Sequence, residues 1–274
     1  MSDLVITSAA NPRLKAVLAL RRRRARDVRG ATIVDGAEEL ALAMAAGARP
    51  EVVFWCPDLF NADGAQAGVV AQARAARVET VQLSRPAFEK IAYRDGPDGI
   101  LAVVPTPGSG LALVQSSRPP LVLVAEGVEK PGNLGAMLRT ADAAGVDLVV
   151  AADPVTDWGN PNVVRASKGT VFAMPCAAAS TAEVLEWVAQ TGITLVATTP
   201  DTELLYSQVD LTGPVAVAVG SEKHGLTRAV LDAADHVVRL PMAGRADSLN
   251  VSVSAAVVLY EAVRQRLEGG QEHT

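Results

Sequence analysis

Three separated segments of the chain combine residue types that can bind and orient a polar ligand. They span residues 126–140, 219–226 and 240–254. The first segment holds Asn133 and Arg139, the second Glu222 and the third Asn250. Amides, a guanidinium and a carboxylate together offer both hydrogen-bond donors and acceptors. These residues therefore predict a site for a polar ligand.

Each segment also has an ordinary structural explanation. Arg139 suits the solvated face of a helix for which Asn133 is the N-cap, although Gly135 would leave room for a ligand on the same face. The glycines around Glu222 suit a strand-to-helix turn, and Asn250 suits simple capping of the last helix. The second segment is not a phosphate-binding loop, because the Gly-Lys-Ser/Thr ending is absent.

The three segments follow predicted strands in a second half that alternates strands with helices. We predict strands at residues 121–125, 147–151, 194–198, 215–219 and 236–240. We predict helices at residues 134–144, 181–191, 227–234 and 251–267. Several strands are continuously apolar, which is typical of strands covered on both faces, and the alternation favours an α/β fold with a mostly parallel sheet. Ligands of such sheets bind at the carboxyl ends of the strands, where the three segments lie.

The first half predicts a smaller α/β domain. Its expected strands are residues 31–34, 51–55, 78–83 and 99–104, and its expected helices are residues 11–26, 38–46, 65–76 and 84–93. A stretch rich in proline and glycine, residues 105–119, is the predicted linker. The predicted domains are therefore residues 1–104 and 120–274.

The last predicted helix is apolar around most of its circumference. Valine, alanine and leucine occupy most positions between residues 251 and 263. A helix of this kind is buried on several sides. It is therefore internal to its domain, or one face contacts another subunit.

Positive charge is concentrated near the N-terminus. The net charge of the chain is −5, yet residues 1–30 hold eight basic and two acidic side chains. A basic patch on an acidic body can bind phosphates without making the whole surface basic. The candidates for phosphate contact are Arg21, Arg22, Arg23 and Arg24. A solvated helix face is the alternative, since four consecutive residues cannot all point one way.

Cysteine, histidine and hydropathy patterns narrow the class of protein. Cys56 and Cys176 have no metal-binding spacing and suit ordinary buried thiols. His224, His236 and His273 form no ligand cluster, so we expect no metal. No apolar run is long enough to span a membrane, and the N-terminus lacks the apolar core of a signal peptide. We expect a cytoplasmic protein.

Taken in order, the three segments resemble the sequence motifs of the SpoU (TrmH) family of RNA methyltransferases. The resembling runs are Asn133-Leu-Gly-Ala-Met-Leu-Arg139, Gly220-Ser-Glu-Lys-His-Gly225 and Leu240-Pro-Met242 with Ser248-Leu-Asn-Val-Ser-Val253. Their order and spacing fit the family across residues 120–266. Each run is weak alone, but the ordered set is specific and favours a functional site over the structural explanations.

The resemblance implies a ribose 2′-O-methyltransferase that uses S-adenosylmethionine. Members of this family, which is part of the SPOUT superfamily, fold the C-terminal domain as an α/β sheet with a deep trefoil knot. They form homodimers with the last helix in the interface. Many carry an N-terminal domain like a ribosomal RNA-binding protein, and residues 1–104 look similar to that type. Methyltransferases that confer resistance to thiostrepton and avilamycin share this layout.

The resemblance also assigns roles to individual residues. The family's catalytic positions correspond to Asn133, Arg139, Glu222 and Asn250. Its cofactor-binding positions correspond to Thr198, Gly220, Leu240, Met242, Ser248 and Leu249. A segment that faces RNA in the family corresponds to Arg165 and Lys168 here, and in a dimer it is expected to reach the partner's site.

The implied reaction is a direct displacement in which a ribose hydroxyl attacks the methyl group of a sulfonium. The sulfide leaves as a neutral group, so the site must supply alignment and help remove one proton. Arginine is poorly suited as a base because its pKa exceeds about 12. We therefore expect Arg139 to grip the target phosphate and orient the hydroxyl. We expect Asn133 to orient the same ribose or Arg139, and Glu222 to orient Arg139 or bind polar groups of the cofactor and ribose. We expect Asn250 to hold the loop geometry and polar contacts.

The expected substrate is RNA, with 23S ribosomal RNA as the first choice and a single-stranded or looped target. The alternatives are a tRNA 2′-O-methyltransferase and a non-catalytic RNA-binding protein on the same fold, which would lack the polar motif residues. A nucleotide-dependent Rossmann enzyme is the rival class. It requires a glycine-rich fingerprint after the strand that ends near Ala125, and this sequence has none. Binding of NAD without binding of S-adenosylmethionine would favour that rival.

Overall fold

Two compact units make up the chain. The computed structural model describes residues 4–61, 64–112 and 118–271. The first unit combines Met1–Pro107 with Asp157–Ala173, and the second combines Gly108–Thr156 with Met174–Thr274. Residues 113–117 of the predicted linker lie outside the described residues, as does His273.

The elements follow one another in an order close to the predicted one. The strands are β1 (Leu4–Ile6), β2 (Ala31–Asp35), β3 (Val52–Trp55), β4 (Glu79–Leu83), β5 (Ile100–Pro105), β6 (Leu121–Glu126), β7 (Leu148–Ala152), β8 (Cys176–Ala179), β9 (Thr194–Thr198), β10 (Val215–Val219) and β11 (His236–Val238). The α-helices are α1 (Pro12–Ala19), α2 (Arg23–Arg29), α3 (Ala37–Ala45), α4 (Ala65–Ala75), α5 (Arg85–Ile91), α6 (Pro131–Ala143), α7 (Pro161–Ala166), α8 (Thr181–Thr191), α9 (Arg228–Ala233) and α10 (Val251–Gln271).

The first unit is built on a mixed sheet of five strands in the order β1-β4-β3-β5-β2. β1 and β3 pair in parallel with β4, whereas β5 pairs antiparallel with β3 and β2. A core of aliphatic side chains with Phe54 and Phe88 packs against this sheet. The sequence predicted an α/β unit here, which is confirmed, but it did not predict β1.

The predicted helix at residues 11–26 is wrong in one respect, because it is two helices. α1 ends before Leu20, and Arg22 has an extended backbone with φ −96° and ψ 131°. The break is stabilised by Arg26, whose buried guanidinium donates to the carbonyl oxygens of Leu20 and Arg21 at 3.0 and 3.1 Å. Carbonyls that a continuous helix would have paired within itself are thus satisfied by a side chain.

The segment at residues 157–173 falls within the predicted second domain but packs with the first unit. Arg26 donates from Nε to Asp157 Oδ1 at 3.0 Å, and its side chain is only 3% exposed. At the other end of the segment, Gly169 has φ +82°, and a Cβ there would lie 2.8 Å from the carbonyl oxygen of Glu39. An ion pair and a close backbone approach therefore fix both ends of the segment on the first unit.

The second unit contains a fully parallel sheet of six strands in the order β11-β9-β10-β6-β7-β8. Every residue of β6, β7 and β10 is buried, as expected for strands covered on both faces. The predicted parallel α/β fold is therefore confirmed. The sequence missed β8, whose Cys-Ala-Ala-Ala composition lacks the branched and aromatic residues that favour strands.

Candidate active site

A cavity of about 480 Å³ lies at the carboxyl ends of β9, β10 and β11 in the second unit. Its wall includes all six residues predicted to bind the cofactor, Thr198, Gly220, Leu240, Met242, Ser248 and Leu249. Glu222 and Asn250 line it as well. The loops after three neighbouring strands therefore converge on one space, at the end of the sheet where parallel α/β folds bind ligands.

A hydrogen-bonded chain of side chains joins the three polar segments. Asn133 donates from its amide nitrogen to Oε1 of Glu222. Asn250 in turn donates from Nδ2 to the Oδ1 of Asn133 at 3.2 Å. Three of the four predicted catalytic residues, separated by up to 117 positions in the sequence, are therefore in direct contact.

Asn133 reaches this position because it does not cap α6, which corrects the predicted N-cap. The helix begins at Pro131, and Lys130 is the N-cap residue. Proline suits the first helical position, since its fixed φ is helical and its missing N–H has no intrahelical partner there. Asn133 therefore lies in the first turn of α6, where its side chain is free to reach across to the other loops.

Asn250 caps the last helix and takes part in the site at the same time. Its Oδ1 accepts hydrogen bonds from the backbone N–H of Ser252 at 3.0 Å and from the hydroxyl of the same residue at 2.7 Å. Its Nδ2 is the group that contacts Asn133. The position of α10 is thus coupled to the polar chain. The capping explanation is confirmed for Asn250, and the same side chain also contacts Asn133.

The loop after β10 is held in a tight turn. Ser221 and Gly225 exchange two backbone hydrogen bonds, of 3.1 and 2.9 Å. A Cβ on Gly220 would overlap the backbone of Gly225 and Leu226, so only glycine fits there. The glycine signals around Glu222 therefore mark a loop that folds back on itself and presents the carboxylate of Glu222 to the cavity.

Arg139 stands apart from the other predicted catalytic residues. Arg139 is exposed on α6 and does not line the cavity. Its guanidinium forms no hydrogen bond or ion pair with any described residue. Gly135, which was expected to leave room for a ligand on the same face, is instead buried. α6 packs against α10 in the same unit.

Two charged residues of the cavity were not singled out from the sequence. Lys130 lines the wall, and its Nζ lies 3.8 Å from Oε1 of Glu222. Asp247 lines it from the loop between β11 and α10. Both lie inside the polar segments, at residues 126–140 and 240–254, so their position in the sequence was a usable signal.

The four arginines at residues 21–24 are not equivalent. Arg21 donates to the carbonyl oxygen of Ala92 at 2.6 Å, and its guanidinium lies 5.6 Å from the ring centroid of Tyr93. Arg23 forms an ion pair of 3.7 Å with Asp27. Arg22 and Arg24 are exposed and have no ionic partner among the described residues. These two are the arginines most available to an external phosphate.

Arg165 and Lys168 belong to the segment at residues 157–173 and are therefore part of the first unit. Both are exposed. Arg165 donates to Asn162 Oδ1 at a long 3.4 Å, and the ammonium of Lys168 lies 4.0 Å from a carboxylate oxygen of Glu38. Such contacts between exposed groups are weak and leave both cations free to exchange partners.

The cysteines and the metal-binding residue types of the described part of the chain form no second centre. Cys56 and Cys176 are buried free thiols, as predicted, and burial raises the pKa of Cys176 to about 12. Among the described residues, no group of three or more His, Cys, Asp and Glu side chains is arranged to hold a metal ion. Within the same residues, no helix combines the length and apolar character that a membrane crossing requires.

Family profiles match both parts of the chain. Residues 120–260 match the SpoU rRNA Methylase family, and residues 11–102 match the MRM3-like substrate binding domain. The first match spans the parallel sheet, the cavity and the polar chain described above.

Relatives of known name and solved structures agree with these matches. A 23S rRNA (guanosine-2′-O-)-methyltransferase of Pseudomonas syringae pv. tomato is 43% identical over 155 residues, which are 56% of this chain and 62% of that enzyme. This chain thus spans less than two thirds of that relative. A crystal structure of an RNA 2′-O ribose methyltransferase superposes with a TM-score of 0.83 and 45% identity, covering 96% of this chain and 100% of the other.

A third comparison includes a ligand. The SpoU methyltransferase AviRb from Streptomyces viridochromogenes, solved in complex with the cofactor AdoMet, superposes with a TM-score of 0.84 and 29% identity over 94% of this chain and 100% of that one. The motif spacing, the geometry of the cavity and the profile over residues 120–260 lead to the same conclusion. The chain belongs to the SpoU rRNA methylase family.

Proposed function

We propose that this protein transfers a methyl group from S-adenosylmethionine to a ribose 2′-hydroxyl of RNA, and that the substrate is 23S ribosomal RNA. The observation that carries the proposal is the contact chain from Glu222 through Asn133 to Asn250 beside a cavity lined by the predicted cofactor loops. The relatives named for rRNA methylation support the choice of substrate.

The cavity suits this cofactor in size and in the chemistry of its wall. A volume of about 480 Å³ lies within the range of small-molecule sites. Leu240, Met242 and Leu249 offer apolar surface, while the backbone of the loop at Gly220 and the hydroxyls of Thr198 and Ser248 offer polar contacts. When bound, S-adenosylmethionine supplies an electrophilic methyl group and a neutral leaving sulfide.

The polar chain positions the reacting groups. Glu222 accepts from Asn133, so the amide is oriented and its Oδ1 in turn accepts from Asn250. A side chain held at both ends loses little further freedom when substrate binds, and pre-oriented groups align a nucleophile effectively. Asn133 and Glu222 therefore hold the ribose side of the site, and Asn250 fixes the loop that precedes α10.

Arg139 grips a phosphate of the target nucleotide and orients its hydroxyl. An exposed guanidinium without an ionic partner among the described residues is free to form a bidentate contact with phosphate. A guanidinium is a poor proton acceptor, so this residue is not assigned the role of a base. This role also explains why Arg139 lies outside the cofactor cavity, since the RNA approaches from solvent.

The first unit binds RNA through exposed basic side chains. Arg22 and Arg24 are exposed at the start of α2, and Arg165 and Lys168 are exposed on the segment at residues 157–173. The match to a substrate binding domain over residues 11–102 supports this assignment. A single-stranded or looped target is expected, because the 2′-hydroxyl must be reached and presented to the cofactor.

The active form is a homodimer in the cytoplasm. Val253, Tyr260 and Leu267 are 46%, 50% and 66% exposed on α10 and recur every seven residues, so they form one apolar stripe along the helix. A second copy of the chain covers this stripe in the dimer that the family resemblance implies. The deep trefoil knot of the second unit and a role in antibiotic resistance are further expectations from the same resemblance.

Substitution of Arg139 tests the proposal. We expect Arg139→Ala to abolish methyl transfer to ribosomal RNA while the dissociation constant for S-adenosylmethionine stays within about twofold. Arg228→Ala, which removes an exposed arginine from α9, is the matched control and should retain transfer. Calorimetry and a labelled-methyl assay on the same preparations give both quantities.

Unchanged turnover in Arg139→Ala would refute the role of Arg139. Binding of ribosomal RNA by the wild type without any transfer would favour a non-catalytic RNA-binding protein.

A further inference from the structure

The charges on the wall of the cavity do not cancel. Of the residues that the structure describes, three with ionisable side chains line it, namely Lys130, Glu222 and Asp247. Lys130 lies 3.8 Å from the carboxylate of Glu222, so these two charges neutralise one another. Asp247 is the remaining charge, and the cavity as a whole is negative by one unit.

Asp247 has no cation of its own in the described part of the chain. It lies in the exposed loop between β11 and α10, and its one hydrogen bond is a long contact of 3.4 Å from the hydroxyl of Ser248. No lysine, arginine or histidine of that part lies within ion-pair distance. A carboxylate that faces a binding cavity without a counter-charge favours a ligand that brings one.

We infer that Asp247 is the residue that makes this site prefer the positively charged cofactor to its uncharged product. The inference rests on the proposed function. S-adenosylmethionine carries a carboxylate, an ammonium and a sulfonium, and its net charge is +1. In S-adenosylhomocysteine the electron pair of the broken carbon–sulfur bond stays on sulfur, so the sulfonium charge is gone and the net charge is zero.

The two molecules differ only in the methyl group and in the positive charge that it places on sulfur, so an electrostatic contact with that charge can separate them. The negative charge of Asp247 attracts the cofactor before transfer and loses its partner after transfer, when the product must leave. Because Asp247 is exposed, water and salt screen its field. At a separation of several ångströms in a high effective dielectric, its charge is worth roughly a three- to tenfold difference in affinity.

Dissociation constants of the full-length protein test the assignment. The ligands are S-adenosylmethionine, S-adenosylhomocysteine and sinefungin, an analogue with an amino group in place of the methylsulfonium. In Asp247→Asn we expect affinity for the two cationic ligands to fall roughly three- to tenfold and affinity for S-adenosylhomocysteine to stay within about twofold. The difference should shrink in about 1 M salt. Asp247→Glu, which keeps the charge, should retain the preference.

Asp201→Asn is the matched control. Asp201 is exposed in the loop after β9, close in sequence to cavity residues but not on the wall, so its loss should leave the preference intact. Equal weakening of all three ligands by Asp247→Asn would show that Asp247 contacts a shared group, and it would overturn the inference. The inference would also be overturned if Asp201→Asn reduced the preference for the cationic ligands as much as Asp247→Asn does. A wild-type protein that binds none of the three ligands would instead contradict the proposed function itself.

Discussion

Glu126 is a buried carboxylate that connects the carboxyl end of β6 to two other elements. Its Oε1 accepts from the hydroxyls of Thr181 and Thr227 at 2.8 and 2.7 Å, and its Oε2 accepts from the backbone N–H of Thr227 at 2.7 Å. Glu126→Ala leaves these three donors without their acceptor. We predict that it lowers the free energy of unfolding by about 3 kcal/mol, measured by denaturant titration.

The control for Glu126 is a glutamate whose hydrogen bonds are exposed to water. Glu183 completes a capping box with Ser180 at the start of α8. Water can replace these hydrogen bonds, so Glu183→Ala should lower the free energy of unfolding much less than Glu126→Ala does. If the two variants lose the same stability, the buried carboxylate does not connect these elements in the way described.

Individual site residues were predicted from the sequence with uneven success. Asn133, Glu222 and Asn250 are short polar residues placed after apolar strands, and this local pattern predicted that they would meet. The pattern did not show that Pro131 begins α6 and releases Asn133 from capping. It also gave no weight to Lys130, because its proximity to Glu222 arises only when distant loops fold together.

At the scale of an element, the loop after β10 depends on a close backbone approach. A Cβ on Gly220 would overlap the backbone of Gly225 and Leu226. Gly220→Ala must therefore displace the loop that carries Glu222. We predict that it weakens binding of S-adenosylmethionine at least tenfold, as measured by calorimetry, because the displaced loop forms part of the cavity wall.

Gly213→Ala provides the comparison for Gly220→Ala. Gly213 belongs to the same unit, and a Cβ there would meet no atom within 4 Å. The same chemical change should therefore leave the affinity for S-adenosylmethionine within about twofold. Unaltered binding by Gly220→Ala would contradict this account, because it would show that the loop can move without loss of the binding site.

The arginines at the break between α1 and α2 differ in how available they are to an external phosphate. Arg22 and Arg24 are exposed without an ionic partner among the described residues, whereas Arg21 donates to a backbone carbonyl. We predict that the double variant Arg22→Ala, Arg24→Ala weakens RNA binding. It should also reduce the slope of log affinity against log salt by about 1 to 2, because each released phosphate contact contributes somewhat less than one unit.

A second double variant controls for the loss of two positive charges from the same unit. Arg13 and Arg29 form exposed ion pairs with Glu79 and Glu51. Arg13→Ala with Arg29→Ala should leave the salt slope nearly unchanged. If the double variant at Arg22 and Arg24 has the same slope of log affinity against log salt as the wild type, these arginines do not contact RNA.

Elements were predicted well where hydropathy alone defines them. The continuously apolar runs of β6, β7 and β10 gave strands in nearly the right places. β8 was missed because its alanines carry little strand preference, and the helix at residues 11–26 was predicted as one because its residues favour helix throughout. Arg26, which satisfies carbonyl oxygens at the break, is itself held by Asp157, which is 131 positions away. The sequence around residues 11–26 cannot predict a contact with a residue so far along the chain.

At the scale of the whole molecule, the exposed stripe on α10 predicts self-association. Tyr260 lies in the middle of the stripe and is 50% exposed. A charge placed at a desolvated apolar interface is costly, so we predict that Tyr260→Asp converts the dimer to a monomer at micromolar concentration. Light scattering coupled to size-exclusion chromatography measures the molar mass directly.

Val28→Asp is the corresponding change outside the stripe. Val28 is an exposed apolar residue of the first unit, and it is 84% exposed. We expect the Val28→Asp variant to have the same molar mass in solution as the wild type. A wild-type protein that is monomeric throughout would contradict the assignment of α10 to a subunit interface.

The division of the chain into units was harder to predict than either fold. The first of the two stretches that form the first unit runs to Pro107, within the proline-rich residues 105–119. No composition signal marks residues 157–173 as part of the first unit. Their packing rests on pairings such as Arg26 with Asp157, which become visible only in three dimensions.

The atom that receives the methyl group is the most direct test of the account. Ribosomal RNA that has not been modified by this protein is incubated with it and with methyl-labelled S-adenosylmethionine, and the RNA is then digested to nucleosides. We predict that the label is found on the 2′-oxygen of a ribose, and that Arg139→Ala yields none. Label on a nucleobase, or equal labelling by the wild type and Arg139→Ala, would contradict the account.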